Sequence, residues 1–150
     1  MNKCASFIAA MLIFALSLIT AADVAIAADQ VAEAPSTREK VIFQVSDSVP
    51  AKWNLTLNNA KNALEALGKG NIDIEIVAYG PGVDMLKLGS EVGGRVVQAQ
   101  SEGIKVVACQ NTMRNMKLTE ADMLPSVGYV PSGVVELIRK QKEGWSYVRP

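Results

Sequence analysis

The side chain best suited to covalent chemistry is Cys109, which closes the apolar run Ile104-Lys105-Val106-Val107-Ala108-Cys109. Gln110-Asn111-Thr112-Met113-Arg114 follows at once and reads as a turn into a helix. A thiol at the carboxyl end of a buried strand, facing a helix start, stands where α/β sheets usually place their chemistry. The N–H groups opening that helix carry partial positive charge and favour thiolate over thiol. Arg114, about one helical turn further in, adds a full charge if it points back and is otherwise an ordinary solvated arginine. Ser132 reads as a helix cap, and with Asn111, Thr112 and Gly133 it would make a small polar rim around the thiol, able to help bind an anion. The plain alternative is a buried cysteine that packs as a small apolar side chain.

The chain of 150 residues contains no histidine. This removes the commonest general base and the commonest metal ligand together. Ser-His-Asp and Cys-His catalysis are excluded, as are zinc sites of the Cys/His kind. No clustered carboxylate motif points to another metal, and no cofactor is expected. Gly80-Pro81-Gly82 lacks the spacing of a phosphate-binding loop and reads as a turn. Fifteen basic residues balance fifteen acidic ones, so there is no electrostatic reason to bind nucleic acid or anionic lipid.

Residues 1–27 have the three-part layout of a secretory signal peptide. Met1-Asn2-Lys3 is a basic start, Phe7 to Ile19 is almost unbroken apolar sequence, and Ala25-Ile26-Ala27 is a small-x-small cleavage pattern. The apolar stretch is short for a membrane span, which needs about 20 residues, so an uncleaved anchor is the lesser reading. Cleavage predicts a periplasmic protein with no membrane attachment. It removes Cys4 and leaves Cys109 as the sole thiol, without a partner for an internal disulfide. In an oxidising compartment a leftover cysteine suggests intermolecular pairing or a free reactive thiol. Residues 28–39 read as a flexible leader, and 40–150 as a single domain.

Along that domain the elements alternate. Val41-Ile42-Phe43-Gln44-Val45 is strand-like. Trp53, Leu57, Ala60, Leu64 and Leu67 mark one face of a helix that Gly68 stops, with Trp53 a core anchor. Ile72, Ile74 and Ile76 alternate with Asp73 and Glu75, predicting a half-covered strand that becomes buried towards Val77-Ala78-Tyr79. Asp84 to Leu88 reads as one helical turn. A helix from Ser90 to Gly103 would carry Gly93-Gly94 near its start, at a cost of about 1 kcal/mol each in a helix interior. Thr119 and Asp122 suggest a capped helix start that Pro125 cuts short. Val127 to Val130 is a short strand. The final helix should present Val134, Val135, Leu137 and Ile138 on its apolar face before Gly144 and the strand Trp145-Ser146-Tyr147-Val148. Such alternation gives an α/β fold, a mainly parallel five-stranded sheet between helical layers.

The stretch Glu102 to Met113, with Leu118-Thr119-Glu120-Ala121-Asp122 and Val130-Pro131-Ser132-Gly133-Val134-Val135-Glu136, resembles the DsrE/DsrF-like family, and most of all its exported stand-alone members. Trp53-Asn54-Leu55 and Leu57-Asn58-Asn59-Ala60-Lys61-Asn62 fit the same pattern. The resemblance implies a three-layer α/β/α sandwich that assembles into trimers or hexamers. It also implies that Cys109 carries sulfur as a persulfide and passes it to a partner protein. Two other readings stand beside this sulfur carrier. One is a non-catalytic oligomeric binding module of the cell envelope, in which Cys109 only packs. The other, a thiol–disulfide oxidoreductase, is disfavoured because Asn111 and Thr112 follow where Cys-x-x-Cys would place its second thiol.

Overall fold

The computed structural model describes residues 38–150, so the expected signal peptide and most of the expected leader lie outside the described residues. Five strands form one sheet: β1 (Glu39–Val45), β2 (Ile72–Ala78), β3 (Lys105–Cys109), β4 (Gly128–Val130) and β5 (Ser146–Val148). Their order is β4-β3-β2-β1-β5, and every neighbouring pair is parallel. Parallel neighbours need crossovers, which four helices supply. These are α1 (Pro50–Leu67), α2 (Gly93–Ser101), α3 (Gln110–Asn115) and α4 (Gly133–Lys142).

The expected periodicities account for most of these elements. Helix α1 opens with Pro50 at its first position, where a missing N–H costs nothing. It closes at Gly68, whose φ of +86° is easy only for glycine, with the Gly68 N–H donating to Leu64 O at 3.0 Å. Trp53, Leu57 and Ala60 point into the core, and each large side chain so buried contributes about 1.5–3 kcal/mol. The indole N–H of Trp53 is satisfied by Asp47 O at 2.6 Å. Leu67, expected on the same face, remains exposed at the frayed end of the stripe.

Alternate residues of the strands feed two cores. Phe43, Ile76 and Ala108 pack with Leu57 of α1, Val96 of α2 and Met113 of α3 in the larger cluster. Ile42, Val77 and Val107 pack on the opposite face with Val130 and with Leu137 of α4. The crossovers from β1 to β4 therefore use one face, and the return from β4 to β5 uses the other. Two adjacent strands, β3 and β4, send their chains to opposite faces, the kind of switch point at whose carboxyl ends open α/β sheets bind ligands. Cys109 is the last residue of β3.

Several sequence expectations need correction. Gly80-Pro81-Gly82 and the turn expected at Asp84 to Leu88 are one 3₁₀ segment, Gly80–Leu86. Gly93 and Gly94 open α2 rather than interrupt it, so the interior penalty does not apply. The capped start at Thr119 exists, with the Asp122 carboxylate accepting from the Thr119 N–H (2.8 Å) and hydroxyl (2.7 Å). It leads only to a single 3₁₀ turn, Glu120–Asp122. Adjacent segments are stitched by bonds from Leu88 N–H to Asp122 O and from Leu124 N–H to Leu86 O, both 2.8 Å. On α4 only Leu137 of the four expected apolar residues is buried; Val134, Val135 and Ile138 are each at least half exposed. Glu75, expected on a solvated face, has no exposed surface at all, because α4 lies across that face of the central strand.

Candidate functional site

Cys109 ends a strand whose side chains alternate between the two cores, and its parity directs the sulfur towards the start of α4. The backbone leaves β3 with the residue in an extended conformation and enters α3 immediately, so Cys109 is itself the N-cap. Its sulfur accepts from the Thr112 N–H at 3.4 Å, as a serine or aspartate oxygen would at that position. The Asn111 N–H reaches Pro131 O at 3.2 Å, tying the loop after β4 against the start of α3. That brings Gly133, the first residue of α4, beside the same sulfur, whose negative charge its N–H favours.

Burial pushes the Cys109 thiol up. The Thr112 hydroxyl and the N–H groups of Gly133, Thr112 and Asn111 around the sulfur more than offset that, so the thiol lies below the ordinary cysteine range. The Thr112 hydroxyl is oriented for this task because its oxygen already accepts from the Gly80 N–H at 2.9 Å. Its proton is left for the sulfur. The arrangement works as an oxyanion hole works, with donors fixed in advance around the atom that carries negative charge.

Close packing fixes the walls. A Cβ on Gly133 would come within 2.9 Å of Tyr79 Cβ, and one on Gly82 within 2.3 Å of Val45 O. Only glycine lets the start of α4 and the corner after β2 approach this closely. A cleft of about 460 Å³ opens on the other side of Thr112, between Ser48, the Gly80-Pro81 corner, Asp84 and Met116. Thr112 therefore both lines the cleft and holds the sulfur.

The predicted site residues divide accordingly. Cys109, Thr112, Gly133 and the backbone of Asn111 converge. Arg114 does not, since its guanidinium turns outward to Asn111 Oδ1 at 3.1 Å. Ser132 occupies the N-cap position of α4, but its side chain makes no capping bond. Tyr79 and Gly80 also shape the site; the sequence shows them as a strand end and a turn at the carboxyl edge of the sheet, but not their partners across it.

A model of the DsrE/DsrF-like family matches residues 39–150. The chain belongs to the DsrE/DsrF-like family. Solved structures agree with that membership. The protein of unknown function MTH1491 from Methanobacterium thermoautotrophicum is 35% identical, with a TM-score of 0.71 over 75% of this chain and 99% of its own. The conserved protein of unknown function BT1422 from Bacteroides thetaiotaomicron is 17% identical, with a TM-score of 0.63 over 75% of this chain and 95% of its own, and shares the fold. A search of the curated proteins gave no match. For a DsrE/DsrF-like domain the α/β sandwich is thus the expected architecture, here with all five strands parallel.

Proposed function

We propose that this protein is an exported sulfur carrier that holds sulfane sulfur as a persulfide on Cys109. Membership of the DsrE/DsrF-like family suggests sulfur relay in general. The observation that carries the finer reading is the Thr112 N–H on the Cys109 sulfur, with the Thr112 hydroxyl and the start of α4 beside it, which together hold the thiol below the ordinary cysteine range. In the first half-reaction the Cys109 thiolate attacks the outer sulfur of a donor persulfide. A new S–S bond forms at Cys109, the donor's S–S bond breaks, and the donor leaves as a thiolate. An acceptor thiolate reverses the exchange, so neither step needs an external oxidant, a histidine or a cofactor.

Export to the periplasm rests on the signal-peptide layout of residues 1–27. Self-association into a trimer or hexamer is part of the same proposal, with the exposed Val134, Val135 and Ile138 of α4 as the surface it would cover. Incubation with a persulfide donor should add about 32 Da, one sulfur atom, to the intact protein and nothing to Cys109→Ser. Absence of the adduct with every donor tried would overturn the reading.

A second reading is favoured by one observation: Cys109 is only 4% exposed. A cysteine that merely packs in an oligomeric binding module would be alkylated slowly in the folded protein at every pH below the ordinary thiol range. A held thiolate would react at neutral pH.

A further inference from the structure

A buried pair of carboxyl groups lies away from the thiol. Glu75 is in the middle of β2, the central strand, with no exposed surface, and Glu136 on α4 is 5% exposed. The two carboxyl groups flank one ammonium, Lys140 Nζ, which lies 3.7 Å from Glu75 Oε2 and 4.0 Å from Glu136 Oε1. Two ionised carboxylates buried around one ammonium repel each other, and a proton on one of them relieves that repulsion.

The surrounding groups show which one. Glu136 is gripped by Arg139, whose Nη2 reaches both carboxylate oxygens at 2.7 Å, and Lys140 Nζ stands at 4.0 Å. These contacts hold Glu136 ionised. Glu75 Oε2 accepts from Lys105 Nζ at 3.0 Å, and Lys140 Nζ lies at 3.7 Å. Glu75 Oε1 is buried and has no partner as a bare acceptor. A proton on it would turn that orphaned atom into a donor, for which the Glu136 carboxylate on the same ammonium is the buried acceptor. Glu143 completes the charged set from α4's end, 3.6 Å from Lys140, whose ammonium lies over the Trp145 ring at 4.3 Å. From β1 the register neighbour of Glu75 is Ile42, which does not titrate.

We propose that Glu75 and Glu136 share one proton and that this proton latches α4 onto the sheet, keeping the Gly133 N–H against the Cys109 sulfur. The latch ties the middle of α4 to β2, and Gly133 lies three residues before Glu136. Raising the pH passes the proton to water and leaves two carboxylates facing each other in a buried site, which repel. Burial pushes Glu75 up, and Lys105, which lowers it, does not fully compensate. Burial also acts on Glu136, but Arg139 pulls it below the carboxylate range. A folded-state value raised above the unfolded one means that Glu75's contribution is complete below the ordinary glutamate range and is lost as pH rises through the folded value. Glu136 behaves oppositely, its contribution being lost as pH falls through its depressed value. The latch is closed between the two.

Carboxyl carbon NMR of the full mature chain labelled with ¹³C-glutamate tests this directly. The Glu75 resonance should titrate above the other glutamates, and the protection of the α4 amides, taken relative to intrinsic exchange at each pH, should fall through the same titration by roughly tenfold for each unit of pH. Glu75→Gln keeps a donor for Glu136 and should make both the α4 protection relative to intrinsic exchange and the Cys109 alkylation profile insensitive to that step. A Glu75 resonance already ionised in the ordinary range would overturn the latch, as would an unchanged exchange profile in Glu75→Gln. Should that variant not fold, the wild-type titration decides alone. Neither readout involves sulfur transfer, so the latch and the carrier reading fail separately.

Discussion

Cys109 is held by backbone donors and one hydroxyl rather than by a charged neighbour, and its behaviour follows from that. The folded state favours the thiolate, so the rate of alkylation plotted against pH should lie to lower pH than that of a model thiol. Thr112→Val removes the hydroxyl and should slow alkylation near neutral pH by roughly 10- to 100-fold, since a hydrogen bond to a charged group contributes about 1.5–3 kcal/mol. Thr112→Ser keeps the hydroxyl and should restore most of the rate. Arg114→Ala should leave the profile unchanged, because that guanidinium faces Asn111; a clear shift would show that it turns back towards the sulfur in solution. The sequence made Cys109 conspicuous through its position after an apolar run. It did not separate Thr112, which bonds the sulfur, from Arg114, which does not, because both lie within one helical turn of the strand end.

At the scale of elements the site depends on two close approaches. Gly133→Ala puts a methyl group against Tyr79 and should cost about 1–3 kcal/mol in a denaturant titration while slowing alkylation, since α4 must back away from the sulfur. Gly82→Ala meets the backbone of Val45, which cannot rotate aside, and should cost at least about 3 kcal/mol. If both variants unfold at the wild-type denaturant midpoint, the packing described for this edge is wrong. Strand and helix types were legible because a period of two and a period near 3.6 leave distinct apolar patterns. Glu75 shows where that legibility ended. Its alternation with isoleucines signals a solvated face, yet a central parallel strand is covered on both sides and the carboxyl group is enclosed. The final helix errs in the other direction, for Val134, Val135 and Ile138 have helical spacing but face outward.

The outward residues of α4 set the expectation for the whole molecule. Replacing Val135 and Ile138 by aspartate should yield a monomer by light scattering with the fold retained, if that face joins copies of the chain. An unchanged mass would place the contact elsewhere. The order of elements, the class of fold and the candidate nucleophile were all set locally, by periodicity, by turn residues and by the absence of histidine. Family membership was also legible there, in short motifs spread along the domain. Tertiary structure alone decided that the starts of α3 and α4 meet at one sulfur, that Arg114 takes no part, and that Glu75 lies buried against Glu136. Each of these depends on residues distant in sequence that the crossovers bring together. Local pattern reports which face of an element is apolar, whereas the partner that face meets is fixed only when the layers close.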